Sequence, residues 1–152
     1  MGKKLEVFDF FCRAAPYALA AFLWLGAPTA GHSSPLNSAQ LATGEKIYAE
    51  QCAACHGATL LGGDAPPLVG QTFAQMLEIY PLTARQLYEF VTSRMPAGKP
   101  GQLDDAQYLE VFAYVLHLNG YKLGDKPLTQ DQLKSIPLLP HPSAPQASPK
   151  RP

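Results

Sequence analysis

The sequence predicts an all-α domain, and three observations carry that expectation. Apolar residues recur at helical spacing in several windows, each bounded by capping or turn-forming residues. No window shows the alternation of a half-buried strand, and there is no internal repeat. After the first helical window stands a compact cluster, Cys52-Ala53-Ala54-Cys55-His56, which runs into glycine-rich loop rather than strand-forming sequence.

The elements follow in order. Residues 1–30 read as a secretory signal: Lys3, Lys4 and Arg13 precede the uncharged run 14–30, which ends in small residues suited to cleavage near Ala30 or within Gly31–Ser33. The competing reading is an uncleaved anchor, because the run lies at the lower edge of the roughly 17–25 residues that span a bilayer. Glu6 and Asp9 are untypical of a leader, whereas Pro16 and Pro28 weaken a spanning helix. Cys12 precedes the apolar run and is not placed for lipid attachment. Residues 31–37 form a polar linker.

The domain proper is expected over 38–121. Ser38 is placed to cap a helix running to about Cys55, with Leu41, Gly44, Ile47, Tyr48 and Cys52 along one side. Residues 57–70 are loop, broken by glycine and proline. Residues 72–80 form a short helix that stops before Pro81. Thr83 caps a helix through Ser93, burying Leu87, Phe90 and Val91. Residues 94–102 are irregular, since Pro96, Gly98, Pro100 and Gly101 interrupt them. Asp104 with Gln107 makes a capping box for the last helix, where Tyr108, Val111, Phe112, Val115 and Leu116 share a face and Asn119-Gly120 ends the run. Residues 122–139 extend beyond it, with a short amphipathic helix from Thr129 to about Ile136 whose Leu133 and Ile136, with Leu128, pack on the domain. The proline-rich stretch 140–152 reads as a disordered tail.

Charge excludes some functions. Twelve Lys and Arg balance twelve Asp and Glu, so nothing favours nucleic acid or an anionic membrane surface; a membrane enters only if the N-terminal segment is retained.

The cluster admits four chemistries. A thioredoxin-type dithiol calls for a strand and a βαβ surround, which are missing. Zinc needs four ligands, and beyond carboxylates only His32, His117 and His141 lie outside the cluster, with no second ligand pair at finger spacing. A Cys52–Cys55 disulfide leaves His56 without a role. Covalent attachment of one haem c uses all three residues: two thiols join the porphyrin vinyl groups and His56 is carried to the iron as an axial ligand. An electron-transferring iron then wants a second axial ligand. Met95 is the choice, a soft donor in a loop that Pro96 and Gly98 keep out of a helix. Met76 reads as core filler, His117 as a surface or packing residue, and His32 and His141 as residues of flexible ends.

These residues resemble the class I c-type cytochromes, small monohaem electron carriers of the bacterial periplasm and of mitochondria, over about residues 38–120. In that family the N- and C-terminal helices cross through a glycine and an aromatic. Gly44 and Tyr48 match those positions, and Val111 and Tyr114 look like their partners. "APPLVG" resembles the segment whose proline carbonyl accepts the proximal imidazole N–H; Pro67 is the preferred acceptor and Pro66 the alternative. "RMPAG" resembles the distal-methionine loop. The extension after Gly120 is similar to the tail of cytochrome domains that accompany pyrroloquinoline-quinone dehydrogenases.

The resemblance implies a class I cytochrome c fold around one covalently bound haem, with His56 and Met95 on the iron and no catalytic residue. It further implies a periplasmic carrier of single electrons between a dehydrogenase and an oxidase or reductase, met in transient contacts. The haem wall is expected from Phe73, Leu87, Phe90, Val91 and Tyr108, with Arg94 and Lys99 steering an acidic partner. The rivals are a membrane-anchored dehydrogenase subunit, a small haem enzyme such as a peroxidase, and a gas-binding module whose ligand displaces Met95.

Overall fold

The computed structural model describes residues 36–142. The expectations for the 1–30 leader, for residues 31–35 and for the tail from residue 143 onward lie outside the described residues. Five α-helices and one 3-10 turn follow in order: α1 Leu36–Gln51, α2 Ala53–His56, α3 Gly70–Ile79, α4 Ala84–Arg94, α5 Asp105–Leu118, and the turn Asp131–Lys134. Among the described residues there is no strand, and no helix is long and apolar enough to cross a membrane.

α1 and α5 make the main helix contact, and glycine decides how close they come. A Cβ on Gly44 would run into the Glu110 carbonyl of α5 and lie 2.9 Å from Tyr114 Cβ. Only a residue without a side chain fits where the two backbones touch. One turn later the Tyr48 and Tyr114 rings meet at 6.0 Å, in the predicted pairing. Val111 is buried and lines the cavity described below.

The predicted caps of α4 and α5 form as reciprocal boxes. Gln86 N–H donates to Thr83 Oγ1 at 3.2 Å and Thr83 N–H to Gln86 Oε1 at 2.9 Å. Gln107 N–H donates to Asp104 Oδ1 at 2.8 Å and Asp104 N–H to Gln107 Oε1 at 3.0 Å. Each cap contributes about 1 kcal/mol by satisfying amides that the helix leaves open. Behind them Tyr88 of α4 meets Phe112 of α5 edge-on at 5.3 Å.

Several boundaries differ from the sequence expectation. α1 begins at Leu36, so Ser38 lies inside its first turn. Asn37, bonded through Nδ2 to Gly124 O at 2.8 Å, ties that turn to the C-terminal segment, a long-range contact no local pattern announces. The helix also breaks at Cys52 before resuming as α2. The predicted helix from Thr129 shrinks to the 3-10 turn, since Pro137 pulls Ile136 out of helical geometry and too few residues remain. Leu128, Leu133 and Leu138 are nonetheless fully buried, so this segment straps the core rather than decorating it. Disorder from residue 140 is also corrected at its start. His141 is 1% exposed, edge-on to Phe73 at 5.9 Å and to Tyr121 at 5.4 Å. One planar ring with a polar partner occupies the core there without any apolar periodicity.

Two outcomes follow from this packing. Gly44→Ala forces apart two backbones that cannot give, an overpacking cost of about 1–3 kcal/mol that outweighs alanine's better helix propensity. Thermal unfolding should show Tm lower by several degrees. The second concerns His141, whose pKa burial lowers from 6.5, against a smaller opposing pull from Glu78. The native state therefore binds the proton less readily than the unfolded chain, so the stabilisation is complete above about pH 6.5 and fades as pH falls toward the depressed native value. Tm measured from about pH 7 down to about pH 5 should fall, and the slope should flatten in His141→Phe.

Candidate haem site

The site begins with α2 and the loop behind it. Cys52 N–H donates to Tyr48 O at 2.9 Å, and His56 N–H to Cys52 O at 3.0 Å, so a single helical turn carries both cysteines and the histidine. Gly57, at φ +79°, then turns the chain left-handed; a Cβ there would lie 2.5 Å from Gly62 O. The loop folds back through three bonds: Gly62 N–H to His56 O at 3.0 Å, Ala65 N–H to Cys55 O at 2.9 Å, and Leu68 N–H to Leu60 O at 2.8 Å. Leu60, 2% exposed, plugs its centre, and Tyr48 O–H donates to Gly57 O at 2.6 Å.

This loop presents a carbonyl to the histidine. His56 Nδ1 lies 2.8 Å from Pro66 O. A carbonyl only accepts, so Nδ1 carries the hydrogen and the Nε2 lone pair is left for a metal. The acceptor is thus Pro66 and not the preferred Pro67. The following proline holds residue 66 extended. Both prolines line the cavity.

Cys52, Cys55, His56, Pro67 and Met95 all line one cavity of about 550 Å³. That volume lies within the roughly 300–1,000 Å³ usual for cofactor sites. Phe73, Leu87, Phe90 and Val91 contribute to its wall as predicted, joined by Val111, Phe112 and Val115 of α5, but Phe90 is 51% exposed rather than buried, because it faces the open side of the cavity. Tyr108 does not line it. Its hydroxyl donates to Met95 O at 2.6 Å and accepts from Gly101 N–H at 3.0 Å, pinning the methionine loop from behind. The periodicity that marked Tyr108 as buried gave no hint of which backbone its hydroxyl would meet. Met76 packs against the core as expected and also reaches the cavity, a second thioether in its wall.

The two thiols are separate rather than joined. Burial, with a smaller contribution from Cys55, pushes the Cys52 thiol up to about 11. A thiol protonated at neutral pH is a poor nucleophile for disulfide exchange, so Cys52 is not an activated thiol. Among the described residues no three His, Cys, Asp or Glu side chains converge to hold a metal ion by themselves. His117 is exposed, and buried His141 is not among the cavity's lining residues. An apolar chamber, two adjacent thiols, an imidazole with Nε2 in its metal-binding form and a thioether fit haem c.

Fold and site together are those of a c-type cytochrome domain. Residues 39–115, just over half of the chain, match the family model described as cytochrome c oxidase, cbb3-type, subunit III, and the chain belongs to that family, whose cytochrome c character implies haem c. It is 40% identical over 76 residues to the dihydro-heme d1 dehydrogenase of Pseudomonas aeruginosa, covering 49% of this chain and 15% of that one. It is 37% identical over 120 residues to the thiosulfate dehydrogenase of Stutzerimonas stutzeri, covering 64% of this chain and 38% of that one. The chain thus spans well under half the length of either relative. Among solved structures, the sulfane dehydrogenase SoxCD from Paracoccus pantotrophus shares the fold at TM-score 0.54 and 24% identity, over 72% of this chain and 56% of that one.

Tyr108→Phe keeps the ring and removes both hydroxyl bonds, leaving Gly101 N–H and Met95 O without that partner. A loss of about 1–3 kcal/mol is expected. A lower denaturant midpoint at unchanged m-value would report it.

Proposed function

We infer that this protein is a periplasmic monohaem cytochrome c that carries single electrons from a dehydrogenase to a downstream oxidase or reductase. The observation that carries the reading is the meeting of Cys52, Cys55, His56 and Met95 on one apolar cavity, with His56 held in one tautomer. In this reading Cys52 and Cys55 would hold one haem covalently, as thioethers to its two vinyl-derived side chains. When bound, haem supplies a one-electron couple at its iron.

The remaining work belongs to the chain. The Nδ1–H bond to Pro66 O orients His56 and strengthens Nε2 as a donor. The Met95 thioether, a neutral soft ligand, favours the reduced metal and raises the potential. Phe73, Leu87, Val91 and Phe112 exclude water, which acts in the same direction. With His56 and Met95 both held as ligands, no position would be left open for a substrate. The chain is then a carrier rather than an enzyme by itself. Arg94 and Lys99 are both exposed beside the methionine loop, where they steer an acidic partner into a small, transient contact.

A second reading has one specific support. The two relatives bear dehydrogenase names and are much longer than this chain, so the domain also suits a subunit or tethered module of a dehydrogenase complex. Retention of the N-terminal segment as an anchor belongs to that reading, whereas removal of 1–30 belongs to the soluble carrier. N-terminal sequencing of the exported protein separates them: a mature start near residue 31 supports the carrier.

The deciding experiment is the denatured mass and visible spectrum of the exported protein beside Met95→His. The native mass should exceed the bare polypeptide by one haem, and Cys52→Ala with Cys55→Ala should abolish that increment. Native ferric protein should show the weak red-edge band of sulfur ligation, lost in Met95→His together with a lowered potential. A colourless native sample of bare mass overturns the haem reading; a coloured sample without the band overturns Met95 alone.

A further inference from the structure

Asn119 ends α5 with its side chain buried, 2% exposed, and its amide is engaged on both sides. Nδ2 donates to Leu68 O at 2.8 Å and to Val115 O at 2.9 Å, while Oδ1 lies 3.2 Å from His141 Nε2. Reversing the amide would set its oxygen against two carbonyl oxygens, so the partners fix the orientation. Since Oδ1 only accepts, His141 Nε2 carries the hydrogen. The Phe73 and Tyr121 rings hold that imidazole edge-on.

The bond to Val115 finishes the helix, but the bond to Leu68 has no such local purpose. It reaches back to the residue that directly follows Pro66 and Pro67. Leu68 is thereby held at both ends of its backbone, by Asn119 at the carbonyl and by Leu60 O at the N–H, 2.8 Å. Two residues upstream, Pro66 O holds His56 Nδ1. The ring of Pro67, the one residue between them, fixes its φ, which limits how far a displacement at Leu68 is absorbed before it reaches the Pro66 carbonyl.

We propose that Asn119, clamped by His141, is a positioning residue for the axial histidine: it fixes Leu68 and through the Pro66-Pro67 pair aims the carbonyl that orients His56. This rests on the haem reading, because His56 orientation matters only if Nε2 binds iron. The C-terminal strap, whose His141 is not itself among the cavity's lining residues, thereby governs the proximal side of the site.

Hydrogen exchange followed by NMR in the reduced holoprotein tests it, reading the His56 ring N–H and the Leu68 amide against Val111 and Phe112 amides of α5. His141→Phe keeps a planar ring between Phe73 and Tyr121 but donates nothing to Oδ1. Asn119→Asp keeps the shape but cannot donate to Leu68 O. Both variants should exchange the His56 and Leu68 protons about tenfold faster, the effect of removing one hydrogen bond from a local opening equilibrium, with the α5 amides unchanged. His141→Gln, which restores a donor, should return most of the protection. Wild-type rates in both variants, or equal acceleration of the α5 amides, overturn the proposal; if Asn119→Asp does not fold, the His141 pair decides. The mass of the same samples reports haem attachment independently, so failure of the haem reading is distinguished from failure of the positioning role.

Discussion

The backbone of α1 lies directly against the Glu110 carbonyl at Gly44, and the geometry of the site descends from that contact. Closeness at position 44 sets where Tyr48 stands one turn later, against Tyr114. The Tyr48 hydroxyl then holds Gly57 O, the carbonyl immediately after His56. A helix crossing thus fixes the cluster of thiols and imidazole through two rigid steps. Moving the helices apart by the width of a methyl group would displace the aromatic, and with it the anchor of the loop.

A second theme is how an apolar chamber is supported by polar contacts placed behind it. The chamber wall is mostly hydrocarbon and sulfur, so it offers few hydrogen bonds to the segments that carry His56 and Met95. They are held from outside. Pro66 O takes the His56 N–H, Tyr108 O–H takes Met95 O, and Asn119 takes Leu68 O. Each pairs a group with a backbone atom of an irregular segment, satisfying carbonyls that no helix or sheet would satisfy. Gln102 of the methionine loop adds a bond to Gln51 at the end of α1 at 2.8 Å, joining that loop at the surface to the residue before Cys52.

Features set by local chemistry were legible in the sequence. The Cys52-to-His56 spacing, the capping boxes at Thr83 and Asp104, the close approach at Gly44 and the loop around Met95 each depend on residues near one another in the chain or on a resemblance that preserves spacing. What escaped depends on partners far away. The choice between Pro66 and Pro67 turns on which carbonyl faces a ring ten residues upstream. Tyr108 looked like a wall residue because burial is periodic, whereas the destination of a hydroxyl is not. His141 was assigned to a flexible end because its neighbours are prolines, yet its ring is enclosed by residues from α3 and from the start of the strap. Met76 shows the opposite limit: a helical position predicts burial, but core and cavity wall are the same side of α3.

The contact at Gly44 joins the first helix of the domain to the last, which has a kinetic consequence. Pairing them requires nearly the whole domain to be brought round, and the entropy of closing so long a loop opposes that step until the distant contacts form. Because both helices contribute to the chamber, it cannot be complete before they meet. The turn bearing Cys52, Cys55 and His56 consists of short-range contacts and is able to form earlier. Local order at the cysteines does not have to wait for enclosure, so both sulfurs are accessible to solvent for as long as the last helix has not closed over the chamber.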